Sequence, residues 1–443
     1  MPTDITKFTL NENVLQILSD FKKEKYKNKI YSDVIDNNGN QYVDLVLEGG
    51  GVLGMALIGY IYILEELNIR FLGLGGTSAG SIVTLLMACD KVENKKSEWI
   101  IEELCKIDFR EFLDFHNGDD DADKLISLIQ NDSGGFKKYF NLFSLLNNFR
   151  DAKKNYGLVK GDKFSKWLKS VIGKKRDNEM NGIKTLKDLK EIRSIVPEGF
   201  KKREGTFDAD KFKFDEKCSR VAIIAADITT ETKVEFPRMA ELYWKKPDEI
   251  NPVDFVRASM SIPFLFNPFE ISGIVHDKSL WEKWEKEINF KGHIPEKVKF
   301  IDGGIISNFP INIFHRANSL PTRPTFGVKL GDDRGEINNI DSIYSLLIAT
   351  FSTARHSLDN EYIDNNKDYE KLVTFINTKR FNWLNFNMTD EQKINLFVEG
   401  AQSACEFLKD FDWDEYKKIR ESLLKNNGSD NQSLVQPAKP AST

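Results

Sequence analysis

Two glycine-rich turns, each set between an apolar strand-like run and a helix-like run, constrain this chain more than any other feature. The first run, residues 42–47, reads Tyr-Val-Asp-Leu-Val-Leu and is broken by Gly49, Gly50 and Gly51. A helical pattern follows over about 53–67. The second run, 71–74, leads into Gly75-Gly76-Thr77-Ser78-Ala79-Gly80, and a further helix is predicted to about Cys89. Strand, glycine turn, helix, repeated, is the βαβα order of a parallel sheet. In such a sheet both turns lie at the carboxyl edge. Strand signals return at 220–226, 299–301, 325–330 and 372–376. A helical pattern runs through 344–355, and a last helix covers about 390–408.

The composition permits a large α/β core. Of 443 residues, 40% are hydrophobic and 30% charged, which excludes disorder as the main state. Lys and Arg total 63 against 68 Asp and Glu, a net charge of −5 that argues against nucleic acid as a partner. Cys89, Cys105, Cys218 and Cys405 have no CxxC spacing, which excludes zinc ribbons and thioredoxin chemistry and suits a reduced, cytoplasmic setting. The first residues carry no apolar secretory region. The longest apolar run, 57–64, is about half a membrane span. The expected organisation is a helical segment over 1–40, an α/β domain over 41–330 with a helical insertion at about 90–219, a strand and helices over 331–425, and a disordered tail over 426–443.

Ser78 sits in Gly76-Thr77-Ser78-Ala79-Gly80, a G-x-S-x-G pattern between strand and helix. A sharp turn there lifts the serine Oγ clear of the backbone, and small neighbours admit a substrate. The helix beginning at Ala79 points its N–H groups at developing negative charge. Gly49, Gly50, Gly51 and Gly54 lie on the neighbouring turn, where bare N–H groups can converge. Their spacing also matches a dinucleotide loop, but the next strand ends in the serine turn rather than an acidic residue. No Gly-Lys-Ser/Thr follows, which removes a Walker-A loop. Paired with Ser78, the glycines read as an oxyanion hole for acyl transfer. Asp302, in Ile301-Asp302-Gly303-Gly304, ends a strand and reads as the general base. An aspartate's ordinary pKa near ~4 leaves it ionised at neutral pH.

These three motifs, in this order, resemble the patatin-like phospholipase family. Ala225-Ala226-Asp227-Ile228-Thr229-Thr230 is similar to the family's strand before its substrate region, residues 257–268 to its Ala-Ser-x-x-Ile-Pro-x-x-Phe-x-Pro block, and Asn308-Phe309-Pro310 to its Asn-x-Pro. The resemblance implies a three-layer α/β fold with a mainly parallel sheet, a helical insertion and a helical C-terminal part. It also implies a Ser–Asp dyad of Ser78 and Asp302, with an oxyanion hole from Gly49, Gly50, Gly51 and Ala79. Gly54, Gly76, Gly80, Gly303 and Gly304 complete the motifs. The implied activity is cleavage of fatty-acyl esters of membrane phospholipids through an acyl-serine, with no metal or cofactor. The implied place is the cytoplasm, peripheral at the membrane when active. Leu53 departs from the family, which often carries Arg or Lys there. A regulated anti-phage effector with a small-molecule or protein activator is one biological role the family suggests; oligomeric state stays open.

Other readings remain. A carboxylester hydrolase with a Ser–His–Asp triad would use His315 or His356, though neither sits at a strand-end loop; His116, His276 and His293 read as loop residues. A catalytically inactive patatin-fold binding protein, or a nucleotide module at Gly49, are the non-enzymatic alternatives. The acidic loop of Asp119, Asp120, Asp121 and Asp123 lacks the EF-hand pattern. Two aromatic stretches are candidates for membrane contact: Tyr139, Phe140, Leu142, Phe143, Leu146 and Phe149 flanked by lysines, and Trp281, Trp284 and Ile288.

Overall fold

The computed structural model describes residues 4–21, 23, 26, 28–115, 155–174, 181–206, 213–215, 218–274, 277–316, 319–331, 340, 349–350, 353–354, 366 and 368–433, with side chains to 425. Two short helices, α1 (Thr6–Thr9) and α2 (Glu12–Phe21), and a strand, β1 (Val34–Ile35), precede the βαβα unit. That unit is β2 (Gln41–Leu47), α3 (Gly54–Glu66), β3 (Ile69–Thr77) and α4 (Ala79–Ala88). β3 is longer than its apolar run because its glycines are strand residues rather than breakers. The Gly73 N–H donates to Asp44 Oδ1 at 2.8 Å, and a Cβ at 73 would lie 2.6 Å from that oxygen.

β12 (Val373–Ile376), β11 (Thr325–Leu330), β2, β3 and β6 (Val221–Asp227) form the parallel centre of a ten-stranded sheet. Antiparallel strands finish it. β7 (Thr232–Phe236) takes one side of β6, and β10 (Lys297–Asp302) takes the other, with β9 (Phe269–Ser272) beyond. β1 joins β2 to β5 (Lys201–Lys202). The fold is thus mixed α/β with a central, mostly parallel sheet.

β10 runs antiparallel to β6 and ends at Asp302. β3 pairs with β6 up to Thr77↔Ile224, and β10 descends from the opposite direction on that same side of β6 to Asp302↔Ala225. Two strands therefore meet end to end, and adjacent positions of β6 hold their last residues.

The apolar run at 57–64 is a core helix. α3 is buried on every side, from Met55 to Glu65. It packs against α10 (Asp390–Asp410), where a Cβ at Gly400 would lie 1.9 Å from the Ala56 carbonyl oxygen. The wholly buried Glu65 carboxylate accepts the N–H of Ser97 at 2.8 Å and its hydroxyl at 2.6 Å, tying α3 to α5 (Ser97–Cys105).

The insertion contributes α5, β4 (Gly157–Val159), α6 (Asp162–Ile172) and α7 (Leu186–Arg193). β4 pairs with β8 (Phe264–Phe266), which follows α8 (Val253–Ser259). α9 (Lys278–Ile288) precedes β10, and α11 (Trp413–Ser433) follows α10. α11 passes residue 426, where loss of the apolar period predicts the end of order. Elongating a helix that is already nucleated and packed costs little. The acidic loop, His116, His276, His356, the stretch from Tyr139 to Phe149 and most of 344–355 lie outside the described residues.

Candidate active site

Ser78 occupies a strained elbow. Its φ of 51° and ψ of −120° fall where non-glycine residues rarely go, at a cost on the order of 1–3 kcal/mol. The flanking motif glycines make the bend possible. A Cβ at Gly76 would lie 2.5 Å from the Gly80 backbone, and one at Gly80 would lie 2.3 Å from the Leu47 carbonyl oxygen. The G-x-S-x-G pattern is thus a packing requirement between β2, β3 and α4.

A single short segment holds the backbones of both Ser78 and Asp302. The Ser78 N–H donates to Ser259 Oγ at 3.0 Å, and that hydroxyl donates to the Ile224 carbonyl at 2.5 Å. Two residues on, the Ser261 carbonyl accepts the Asp302 N–H at 2.8 Å. Arg257 anchors the segment from beneath, donating to the Lys160 carbonyl at 2.6 Å and the Asn267 carbonyl at 2.9 Å. Burial pushes its guanidinium pKa down to about 10. Asp302 itself accepts the Gly304 N–H at 2.7 Å, which orients its carboxylate. Ser78 and Asp302 are each only 4% exposed.

The first member of the glycine loop has its N–H committed elsewhere. Gly49 does not offer its N–H to an oxyanion, because that group donates to the Asn308 carbonyl at 3.2 Å. Its contribution is closeness: a Cβ at 49 would lie 3.0 Å from Ser78 Cβ. Among the described residues, no acceptor takes the N–H of Gly50, Gly51 or Ala79. Gly51 needs its glycine twice over. Its φ is +57°, and a Cβ would lie 2.1 Å from the Trp383 carbonyl oxygen. That carbonyl accepts the Val52 N–H at 2.9 Å and holds the loop down. Beneath it, the buried Glu48 carboxylate accepts Asn308 Nδ2 at 3.0 Å and the Leu330 N–H at 2.6 Å.

A cavity of about 80 Å³ opens on Ser78. Ile82, Val83 and Leu86 of α4 form one wall, and Phe109, Phe112, Phe164, Trp167, Phe266 and Phe386 form much of the rest. Its size is several times the roughly 10–15 Å³ one water needs. Among the described residues, no charged side chain lines it. The chain's high phenylalanine content, 32 residues, finds part of its use here.

Sequence reasoning passed over Glu48, Trp383 and the cavity phenylalanines, and read the Ser259 block without assigning its contacts. Nothing local marks Glu48 or Trp383, since their partners lie hundreds of residues away. Ser259 carried a signal in its motif.

Other predicted residues lie elsewhere. A larger cavity of about 1020 Å³ sits at the amino ends of β6 and β11, lined by Val221, Thr325, His315 and several arginines. His315 packs on the Tyr369 ring there, 5.0 Å between centroids, at the opposite end of the strands from Ser78. Burial lowers its pKa. Arg323 and Arg420 in this cavity already hold Asp44 and Asp368, at 2.7 and 2.8 Å. Trp284 is core, its indole N–H donating to the Leu242 carbonyl at 3.0 Å, while Trp281 is 39% exposed. Among the described residues no helix is long and apolar enough to cross a membrane.

An α/β sheet with a strained serine at a strand-to-helix elbow, bare N–H groups beside it and an apolar cavity in front defines a hydrolase-like architecture. The chain belongs to the patatin-like phospholipase family, whose model matches residues 45–315. A relative, the uncharacterized protein YqhO of Bacillus subtilis (strain 168), is 26% identical over 370 residues, covering 83% of this chain and 98% of its own. The crystal structure of VipD from Legionella pneumophila shares 15% identity at a TM-score of 0.41, covering 89% of this chain and 73% of that one.

Proposed function

We propose that this protein is a serine lipid acyl hydrolase that cleaves fatty-acyl esters of membrane phospholipids with Ser78 as nucleophile and Asp302 as general base. The observation that carries this reading is the apolar cavity that ends on Ser78. Its walls suit an acyl chain and exclude a charged headgroup, which therefore stays outside. Asp302 takes the Ser78 Oγ proton as the oxygen attacks the acyl carbon. The resulting oxyanion is bound by the N–H groups of Gly50, Gly51 and Ala79. Collapse expels the lysolipid alkoxide, which takes the proton from the Asp302 carboxyl. Water, deprotonated in turn by Asp302, then releases the fatty acid and restores Ser78. No step calls on a histidine.

Mixed-phospholipid vesicles incubated with wild type, Ser78→Ala and Asp302→Ala, and analysed by mass spectrometry, test the proposal. Free fatty acid and lysolipid should appear with wild type alone. Substantial product from Asp302→Ala together with none from His356→Ala would replace the dyad with a triad.

A further inference from the structure

The two segments that wall the cavity have outer faces as distinctive as their inner ones. In the first, Ile262 and Phe266 line the cavity while Phe264, between them, is 41% exposed. Phe264 has a φ of +68°, a conformation bulky residues avoid, so the fold holds this residue in place at a cost. In the second, α6, Phe164 and Trp167 line the cavity. On its outer side Lys163 and Lys166 are exposed, as is Lys160 just before it. None of these three lysines has a carboxylate partner among the described residues, whereas Lys169 pairs with Asp254 at 3.0 Å. The N-terminus of α6 is fixed by Asp114, which accepts the N–H groups of Gly161, Asp162 and Lys163 at 2.7, 2.8 and 2.9 Å.

The segments are joined. Gly157 of β4 pairs with Phe264 of β8. Next to it Tyr156 is 60% exposed, with Lys299 Nζ 5.4 Å from its ring centroid. The Lys299 carbonyl accepts the N–H of Ile228, itself 47% exposed. Exposed aromatic and aliphatic side chains thus border unpaired lysines on a protein whose net charge is −5. Such a pairing of apolar side chains with basic residues suits the headgroup layer of an anionic bilayer.

We propose that Tyr156, Ile228, Phe264, Lys160, Lys163 and Lys166 form a docking surface for an anionic phospholipid bilayer, bringing the cavity mouth against the lipid. The proposal rests on reading Ser78 as a lipid acyl hydrolase. It places the membrane contact on β8 and α6 rather than on α9.

Flotation with vesicles of equal parts phosphatidylglycerol and phosphatidylcholine, against pure phosphatidylcholine, tests it in the Ser78→Ala background, where lipid stays intact. Binding should require phosphatidylglycerol and weaken with salt. Lys160→Glu, Lys163→Glu and Lys166→Glu combined should weaken it at least on the order of 100-fold, about fivefold for each lysine removed. Phe264→Asn, an amino acid that tolerates positive φ, should release the salt-resistant fraction. Lys283→Glu with Lys286→Glu on α9 should bind as the parent does, and thermal melts confirm that each variant folds. Failure of the parent to bind, undiminished binding by the triple variant, or loss with the α9 pair would overturn the surface. Hydrolysis of a soluble short-chain ester by wild type separates the two ideas. Esterase activity without vesicle binding sinks the surface alone, and vesicle binding without any ester cleavage sinks the hydrolase reading.

Discussion

Ser259 Oγ accepts the N–H of Ser78 at 3.0 Å and donates its own O–H to the carbonyl of Ile224 at 2.5 Å. One hydroxyl therefore holds the Ser78 backbone against the β6 strand whose next residue, Ala225, pairs with Asp302. Ser259→Ala orphans a buried donor and a buried acceptor. It should cost about 1–3 kcal/mol in stability and lower kcat on the order of 10–100-fold with little change in KM. Ser259→Thr should restore much of kcat. Steady-state kinetics and thermal unfolding of the pair decide between positioning and packing.

The glycine loop has no room for a side chain at Gly51. Gly51→Ala places a methyl 2.1 Å from the Trp383 carbonyl oxygen at a φ of +57°, so the loop must move. Loss of one or more oxyanion donors should reduce kcat by about 10²–10³. The variant should still react with a small fluorophosphonate at Ser78, more slowly. Unchanged hydrolysis would remove this loop from the mechanism.

Asn308 links the buried Glu48 to the same loop. Asn308→Leu strips the buried Glu48 Oε1 of a donor at 3.0 Å. A stability loss of about 1–3 kcal/mol is expected, with reduced kcat. Glu48→Gln with Asn308→Leu should recover part of the stability, which a double-mutant cycle in urea would measure.

Cavity size sets chain length. Val83→Phe fills space beside Ser78, and Trp167→Ala opens the far wall. The first should favour short acyl chains over long ones by roughly tenfold and the second should do the reverse, read as kcat/KM over a series of chain lengths. A flat profile in both would mean the acyl group lies elsewhere.

The α3–α10 contact is a stability determinant remote from the chemistry. Gly400→Leu forces atoms into the Ala56 carbonyl, 1.9 Å from an added Cβ. It should destabilise by about 1–3 kcal/mol or more in chemical denaturation, with the kcat of the folded fraction unchanged.

The local grammar of the site was legible in the chain. A serine between two glycines, after one apolar strand and before a helix, requires an elbow, because only glycine fits where β2, β3 and α4 crowd together. The run of glycines at 49–51 announced a tight loop, and Asp302 before two glycines announced a strand end. β11 spans Thr325–Leu330 as its apolar pattern predicts. Alternation and breaker residues report such features because they act within a few positions of themselves.

What the chain could not disclose is which distant partners claim each group. Gly49 and Gly50 look alike in sequence, yet the Asn308 carbonyl takes the N–H of the first. Gly75 and Gly76, read as part of a turn, are strand residues of β3 because they pair with Val46 and Leu47 of β2. The direction of β10, the choice of Ser259 to hold Ser78 and the closing of phenylalanines from four segments around one cavity all depend on contacts between residues far apart in sequence. Short-range spacing determined the chemistry available to this protein. Long-range packing decided which donors stay free, and which side chains close around Ser78.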